Sequence, residues 1–168
     1  MAEWLVRRAN WGDAEAIARF NQELARETEN RELPWNLIEP GVRRALERPS
    51  HSRYWVAEAQ GQVIGQAMIT PEWSDWRNGW KWWLQSVFVA APWRDKGVFS
   101  SLINQICRDS GLLEKEGDPP VVALWLFAEV DNARALEVYN RLGFGDPHYK
   151  VLEMGLEQMK LRAAKALS

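Results

Sequence analysis

Two kinds of apolar spacing alternate along this chain. After Asp13, the positions Ile17, Phe20 and Leu24 recur at helical intervals, which predicts an amphipathic helix capped by Asp13 and ending near Asn30. A loop from Arg31 to Pro40, with two prolines, should then lead into a short helix through Val42, Ala45 and Leu46, stopped by Pro49. Glu3 to Arg7 reads as an opening strand. The β-rich runs Arg53 to Ala59 and Gln62 to Thr70, parted by Gln60-Gly61, read as a hairpin. A polar and aromatic loop from Pro71 to Gly79 should precede a long strand, Trp80 to Val89. Phe99, Leu102, Ile103 and Ile106 then mark one face of a helix that ends near Gly111.

In the last third, Val121 to Ala128 is a nearly unbroken apolar run after Pro119-Pro120, the pattern of a strand buried on both faces. Asp131 should cap a further helix, with Ala135, Val138, Tyr139 and Leu142 facing inward and Gly143 ending it. His148 to Met154 is a candidate last strand. Leu156, Met159, Ala163 and Leu167 form a stripe that would suit a docking helix. This order predicts a single α/β domain over 1–168, an α+β mixed sheet with helices on both faces, with a core of about 3–155 and a helical tail at 156–168.

Composition narrows the function classes. A net charge of −2 gives no basic excess, which argues against a nucleic-acid partner. No apolar run approaches the ~20 residues of a membrane span, and the start Met1-Ala2-Glu3-Trp4 lacks the regions of a secretory signal, so no membrane partner is expected and a cytoplasmic location is. Cys107 is the single cysteine and reads as a small buried hydrophobe. His51 and His148 lack ligand spacing, so no metal is expected.

Candidate chemistry begins at Arg94-Asp95-Lys96-Gly97-Val98. A helix opening at a glycine presents unpaired N–H groups and the positive end of its dipole, a site suited to phosphate. Gly97 removes the side chain that would block a close approach, and Arg94 and Lys96 add charge for a pyrophosphate. Taken alone, the fragment could equally be a turn with two solvated cations.

The second half of the chain adds Asn132-x-x-Ala135-x-x-x-Tyr139-x-x-x-Gly143-Phe144. Together with Arg94-x-x-Gly97 after a strand, it resembles the two coenzyme A motifs of the GNAT superfamily of N-acetyltransferases, and the order of elements from Glu3 to Met154 is similar to that family. Phe99 departs from the family's usual Gly or Ala. The resemblance implies the GNAT acyl-CoA N-acyltransferase fold and acetyl-CoA as cosubstrate. It implies coenzyme contacts from Val87, Phe88, Val89, Arg94, Asp95, Lys96, Gly97, Val98, Phe99, Ser100 and Asn132. The strand through Val87 to Val89 would splay from the Val121 to Ala128 strand, and its main chain would hold the pantetheine amides, with the Val89 N–H on the thioester carbonyl.

The same resemblance makes Tyr139 the general acid. A phenol of reference pKa ~10 stays protonated at neutral pH and can supply a proton to a departing thiolate. Where some relatives carry a basic glutamate on the long strand, this chain has Trp83, and Gln85 on the same face cannot accept a proton. A water relay ending on Glu72, Asp75 or Glu29 is therefore the expected base. The segment Glu72-Trp73-Ser74-Asp75-Trp76 combines indoles with carboxylates, so Glu29, Glu72, Trp73, Asp75, Trp76 and Gln85 are candidate contacts for a small cationic amine acceptor. Packing as an extra core layer would explain those tryptophans equally well. Trp82 and Trp83 should point to opposite faces. A coenzyme-binding sensor of the same fold is the alternative, an unrelated interaction module is a third reading, and a homodimer stays open.

Overall fold

The computed structural model describes residues 3–115 and 118–166, with only the helical backbone given for 112–115 and 165–166. These residues group into two compact units, one running to Asn132 and the other beginning at Ala133.

The first unit is built on a five-stranded sheet of β1 (Leu5–Arg8), β2 (Arg53–Ala59), β3 (Gln62–Ser74), β4 (Gly79–Val89) and β5 (Val121–Leu126), in that spatial order. The first four strands pair antiparallel, and β5 joins β4 in parallel. Helices α1 (Ala14–Glu29) and α2 (Trp35–Glu47) cover one face, where Ile17, Ala18 and Val42 pack with Tyr54 and Val56. Helix α3 (Val98–Lys115) covers the other, where the Trp55 indole donates to Asp109 at 2.8 Å and packs beneath Trp82. Helices on both faces of a mixed sheet are what the apolar periodicities predicted.

Several boundaries differ from the sequence reading. α2 begins at Trp35 and contains Pro40. The ~3 kcal/mol that an interior proline costs is outweighed by burial of Val42 beside Ile38, Ala45 and Leu46. β3 continues past Thr70 to Ser74, leaving a turn at 75–78 where a longer loop was expected. Pro71 does not interrupt it, because the β2 pairing stops at Arg53↔Ile69 and β3 is an edge strand from there on. Cross-strand pairs Glu72↔Lys81 and Trp73↔Trp80 hold this extension, the latter with ring centroids 4.9 Å apart. α3 runs through Gly111, and Cys107 lies on its exposed side, so it is not the buried residue its composition suggested. β5 is half-buried along its length rather than covered on both faces.

In the second unit, α4 spans Ala133–Arg141 and α5 spans Leu156–Ala166. α4 begins after Asn132, one residue beyond the expected Asp131 cap. It ends as predicted: Gly143 takes a left-handed φ of 91°, and the Phe144 amide donates to the Tyr139 carbonyl at 3.0 Å. No strand forms over 148–154, where Tyr149, Val151 and Leu152 are exposed. The α5 stripe is also exposed at Leu156 and Met159, and Leu167 lies outside the described residues.

Candidate active site

Strand β4 changes character half-way along. It pairs with β5 from Trp80 to Leu84, and beyond Leu84↔Leu126 that pairing ends while β4 continues to Val89. At the same level Gln66 pairs with Phe88 and Met68 with Gln85, so Ser86 and Val87 together oppose Ala67. This is a β-bulge with Ser86 at a φ of 48°, and a bulge bends its strand and leaves a residue unpaired. Val87 to Val89, where the sequence reading expected a splay, thus lie beyond the end of the β5 pairing.

The register also fixes where the Val89 main chain points. Ala90 donates to the Ile64 carbonyl at 2.9 Å, which makes Ile64 and Ala90 a bonded antiparallel pair. Alternation along the ladder then turns the amide and carbonyl of Val89, opposite Gly65, away from β3 and toward the side that β5 has vacated. The Val89 carbonyl accepts from Arg94 Nε at 2.8 Å. Phe88 instead turns its ring into the core against Phe20, at 4.9 Å.

A short turn from Ala91 to Trp93 carries the chain to the head of α3. Asp95 and Gly97 both adopt left-handed φ values, 62° and 91°, and left-handed residues of this kind occur in the backbone concavities that bind anions. Gly97 is exposed, and a Cβ placed on it would meet nothing within 4 Å. The open space above this glycine, with the orphan N–H groups of the first turn of α3, fits a phosphate group. Val98 anchors the turn in the core, while Phe99 and Ser100 are half-buried. Gly65 makes this anchoring possible: a Cβ there would lie 3.2 Å from both the Phe88 carbonyl and Val98 Cγ1.

Arg94 is not poised as a simple phosphate-binding cation. Both Glu27 oxygens accept from its Nη2 at 2.9 Å, and its guanidinium stacks over Phe88. It therefore ties the end of α1 to the end of β4. Lys96 lies over the Trp93 ring at 5.2 Å.

The candidate acceptor residues separate into four places. Glu72 and Gln85 share the α1 face with Trp83, whose ring stacks on Phe127 and meets Trp125 edge-on. Trp82, buried on the opposite face, confirms the expected divergence of the two indoles. Trp73 lies on the side of β3 opposite Glu72, against Trp80. Asp75 and Trp76 occupy the hairpin tip, where Trp76 is 93% exposed. At ~3.3 Å per residue that tip is roughly 20 Å along the strand from Gln85, out of reach of a small molecule held beside Val89. Glu29 is the exposed last residue of α1.

Glu72 is also less suited to the base role than its composition suggests. It accepts from the Trp83 indole at 2.6 Å and from Lys81 at 3.2 Å. The indole hydrogen bond, reinforced by the lysine, holds its carboxyl below the usual range. Gln85 is engaged as well, donating to the Thr70 hydroxyl at 2.6 Å. Asn132 lies in the turn after β5, its amide donating to the Glu129 carbonyl at 3.1 Å.

Tyr139 sits on the second turn of α4. The same Gly143 turn that ends the helix brings Phe144 edge-on to it at 5.9 Å. Burial raises the phenol above its ordinary value, so it remains protonated throughout the neutral range.

The model of the Acetyltransferase (GNAT) family matches residues 14–144, most of the chain. The chain belongs to the GNAT acetyltransferase family. Among solved structures, this GNAT acetyltransferase is similar to a possible acetyltransferase from Clostridium difficile 630, at 34% identity over 92% of this chain and 99% of that one, with a TM-score of 0.82. Two more distant neighbours share the fold. One is a predicted acetyltransferase with acetyl-CoA from Clostridium acetobutylicum, at 17% identity over 92% and 97% of the two chains and a TM-score of 0.70. The other is AAC(6')-Iy in complex with the bisubstrate analogue CoA-S-monomethyl-acetylneamine, at 18% identity over 92% and 99% and a TM-score of 0.72. No curated protein gives a significant match. Among the described residues, no helix of this acyltransferase is long and apolar enough to cross a membrane.

Proposed function

We propose that this chain transfers the acetyl group of acetyl-CoA directly to a primary amine, that of a small cationic acceptor. The observation that carries the proposal is the open left-handed turn at Asp95 to Gly97, set at the end of a strand whose Val89 amide faces the space left by β5. The N–H groups from Gly97 to Ser100 would take the diphosphate, and the β4 main chain the pantetheine amides.

The coenzyme supplies an activated acetyl thioester. The Val89 N–H stabilises the charge that develops on the carbonyl oxygen, which is commonly the largest catalytic term in acyl transfer. As the amine nitrogen bonds to the acetyl carbon and the C–S bond breaks, Tyr139 donates its proton to the leaving sulfur and is reprotonated from solvent. This role comes from the family motif, and burial keeps the proton on the phenol at neutral pH. The proton lost by the new amide nitrogen passes to water. With Glu72 held ionised by Trp83 and Lys81, the acceptor enters as the neutral amine present at equilibrium, and Glu72 contributes negative charge to the face it shares with Gln85. The fold's likeness to a structure holding a CoA–neamine analogue supports a cationic acceptor.

The test is thiol release from acetyl-CoA with a panel of amines. Tyr139→Phe should lower kcat by ~10²–10⁴-fold with coenzyme affinity retained. Equal rates for the two proteins would remove Tyr139 as the acid, and tight coenzyme binding without turnover on any amine would favour a sensor.

A further inference from the structure

Beneath the β4 bulge lies a buried polar cluster that apolar packing alone does not explain. Gln66, in the middle of β3 and 0% exposed, directs its amide nitrogen at two acceptors. One is Asn21 Oδ1 on α1 at 2.7 Å, and the other is the carbonyl of Ser86, the bulge residue with the left-handed φ, at 3.2 Å. Asn21, itself buried, donates on to the Tyr54 hydroxyl at 3.5 Å. Gln66 Oε1, by contrast, is buried with no hydrogen-bond partner. A buried polar atom left unpaired opposes folding, so this amide is an expensive choice where its strand neighbours Ala67 and Ile69 are apolar.

We infer that Gln66 is a positioning residue: its amide, braced by Asn21, holds the Ser86 carbonyl and so sets the bulge that aims the β4 main chain at the thioester. This rests on the acetyl-transfer reading above. Ser86 is not glycine, and a non-glycine residue in the left-handed region persists only when its surroundings hold it there. Gln66 supplies that hold from the neighbouring strand, its side-chain amide donating to the Ser86 carbonyl. Without the hold, Ser86 would relax toward an ordinary strand conformation. The amides after the bulge would then change direction, although neither the diphosphate turn nor Tyr139 is touched.

The experiment compares wild type, Gln66→Met and Asn21→Leu by thermal melting, calorimetric titration with CoA, thiol-release kinetics and amide hydrogen exchange over 85–89. Gln66→Met should lower kcat by ~10–100-fold, the scale of a displacement of about an ångström at a reacting centre. CoA affinity should be retained, because the diphosphate turn is intact, and exchange at Ser86 and Val87 should quicken. Asn21→Leu, which alters only the brace, should shift exchange and kcat in the same direction, and the two substitutions should be non-additive when combined. Unchanged exchange and kcat in Gln66→Met would overturn the inference, as would parallel loss of CoA affinity and folding in both variants. If Gln66→Met does not fold, unaltered exchange at the bulge in Asn21→Leu overturns it. Failure of wild type to bind CoA or release thiol would instead sink the acetyl-transfer reading, and the exchange data would still report on Gln66.

Discussion

Substituting Gly97 by alanine separates the two things this glycine does. At a φ of 91° a Cβ is disfavoured by its own backbone, yet it would meet no other atom within 4 Å. The stability loss is therefore the local backbone term, ~1–2 kcal/mol. For a chain of this size that corresponds to a fall in Tm of roughly 2–8 °C. Coenzyme binding should suffer more, because the added methyl enters the space from which a phosphate oxygen must approach the amides to ~2.9 Å. Losing one charge-assisted hydrogen bond costs ~1.5–3 kcal/mol, or roughly 10–100-fold in Kd. Calorimetric titration with CoA, alongside melting curves, measures both effects. Gly111→Ala is the internal control: that glycine lies within α3 at an ordinary φ with open space around it, so the change should stabilise the helix slightly and leave Kd unaltered. An unchanged Kd in Gly97→Ala, with the expected drop in Tm, would refute the assignment of this turn to the diphosphate.

Other outcomes follow from the same geometry. The pH profile of kcat/KM should rise as the acceptor's ammonium deprotonates and should show no fall from Tyr139 below pH ~10, since burial raises the phenol and keeps it a donor; a loss of activity near neutrality, present in wild type and absent from Tyr139→Phe, would contradict this. Asp13 accepts two hydrogen bonds from Arg7 and one from the Asn10 amide. Burial pushes its carboxyl up, but the Arg7 and Asn10 bonds outweigh burial and leave it below the usual range. The stability it contributes is thus present above the ordinary carboxylate pKa and lost as pH falls through the depressed one. Asp13→Ala should cost ~1–3 kcal/mol at pH 7 and flatten the acid limb of Tm against pH, which melting across that range would reveal. The half-exposed Arg94–Glu27 pair should couple by no more than ~1 kcal/mol in a double-mutant cycle on stability, and a much larger coupling would show it to be more than a tether.

What the sequence revealed depends on the range of the interaction concerned. The five strands of the sheet, the α3 head and the Gly143 stop are set by local periodicity and glycine placement, so they were readable, as was the Asn132 to Phe144 motif, whereas the strand expected over 148–154 does not form. Partners far apart in the chain were not. Glu27 claims Arg94 across 67 positions, and nothing at Arg94 itself announces that its charge is already paired. Glu72 read as one candidate end of a base relay because Trp83 and Gln85 on the long strand cannot accept a proton. The groups that hold it ionised, Lys81 and Trp83, arrive only when the hairpin folds back. The hairpin was read too short for a related reason: Pro71 is a strand breaker only where a ladder partner needs its N–H, and the register supplies none. Gln66 did leave a signal, as the one strongly polar residue in the run Val63 to Ile69, matched by Asn21 among the helical positions Ile17, Phe20 and Leu24. Linking the two required the sheet to place β3 under α1.

The central claim is that the head of α3 and the outer end of β4 form one coenzyme-binding surface. Amide hydrogen exchange with and without CoA tests it residue by residue. Slowed exchange at Gly97 to Ser100 and at Val87 to Val89, with the α2 and β1 amides unaffected, is the predicted result. Protection that falls elsewhere and leaves both segments exchanging at their original rates would contradict the account.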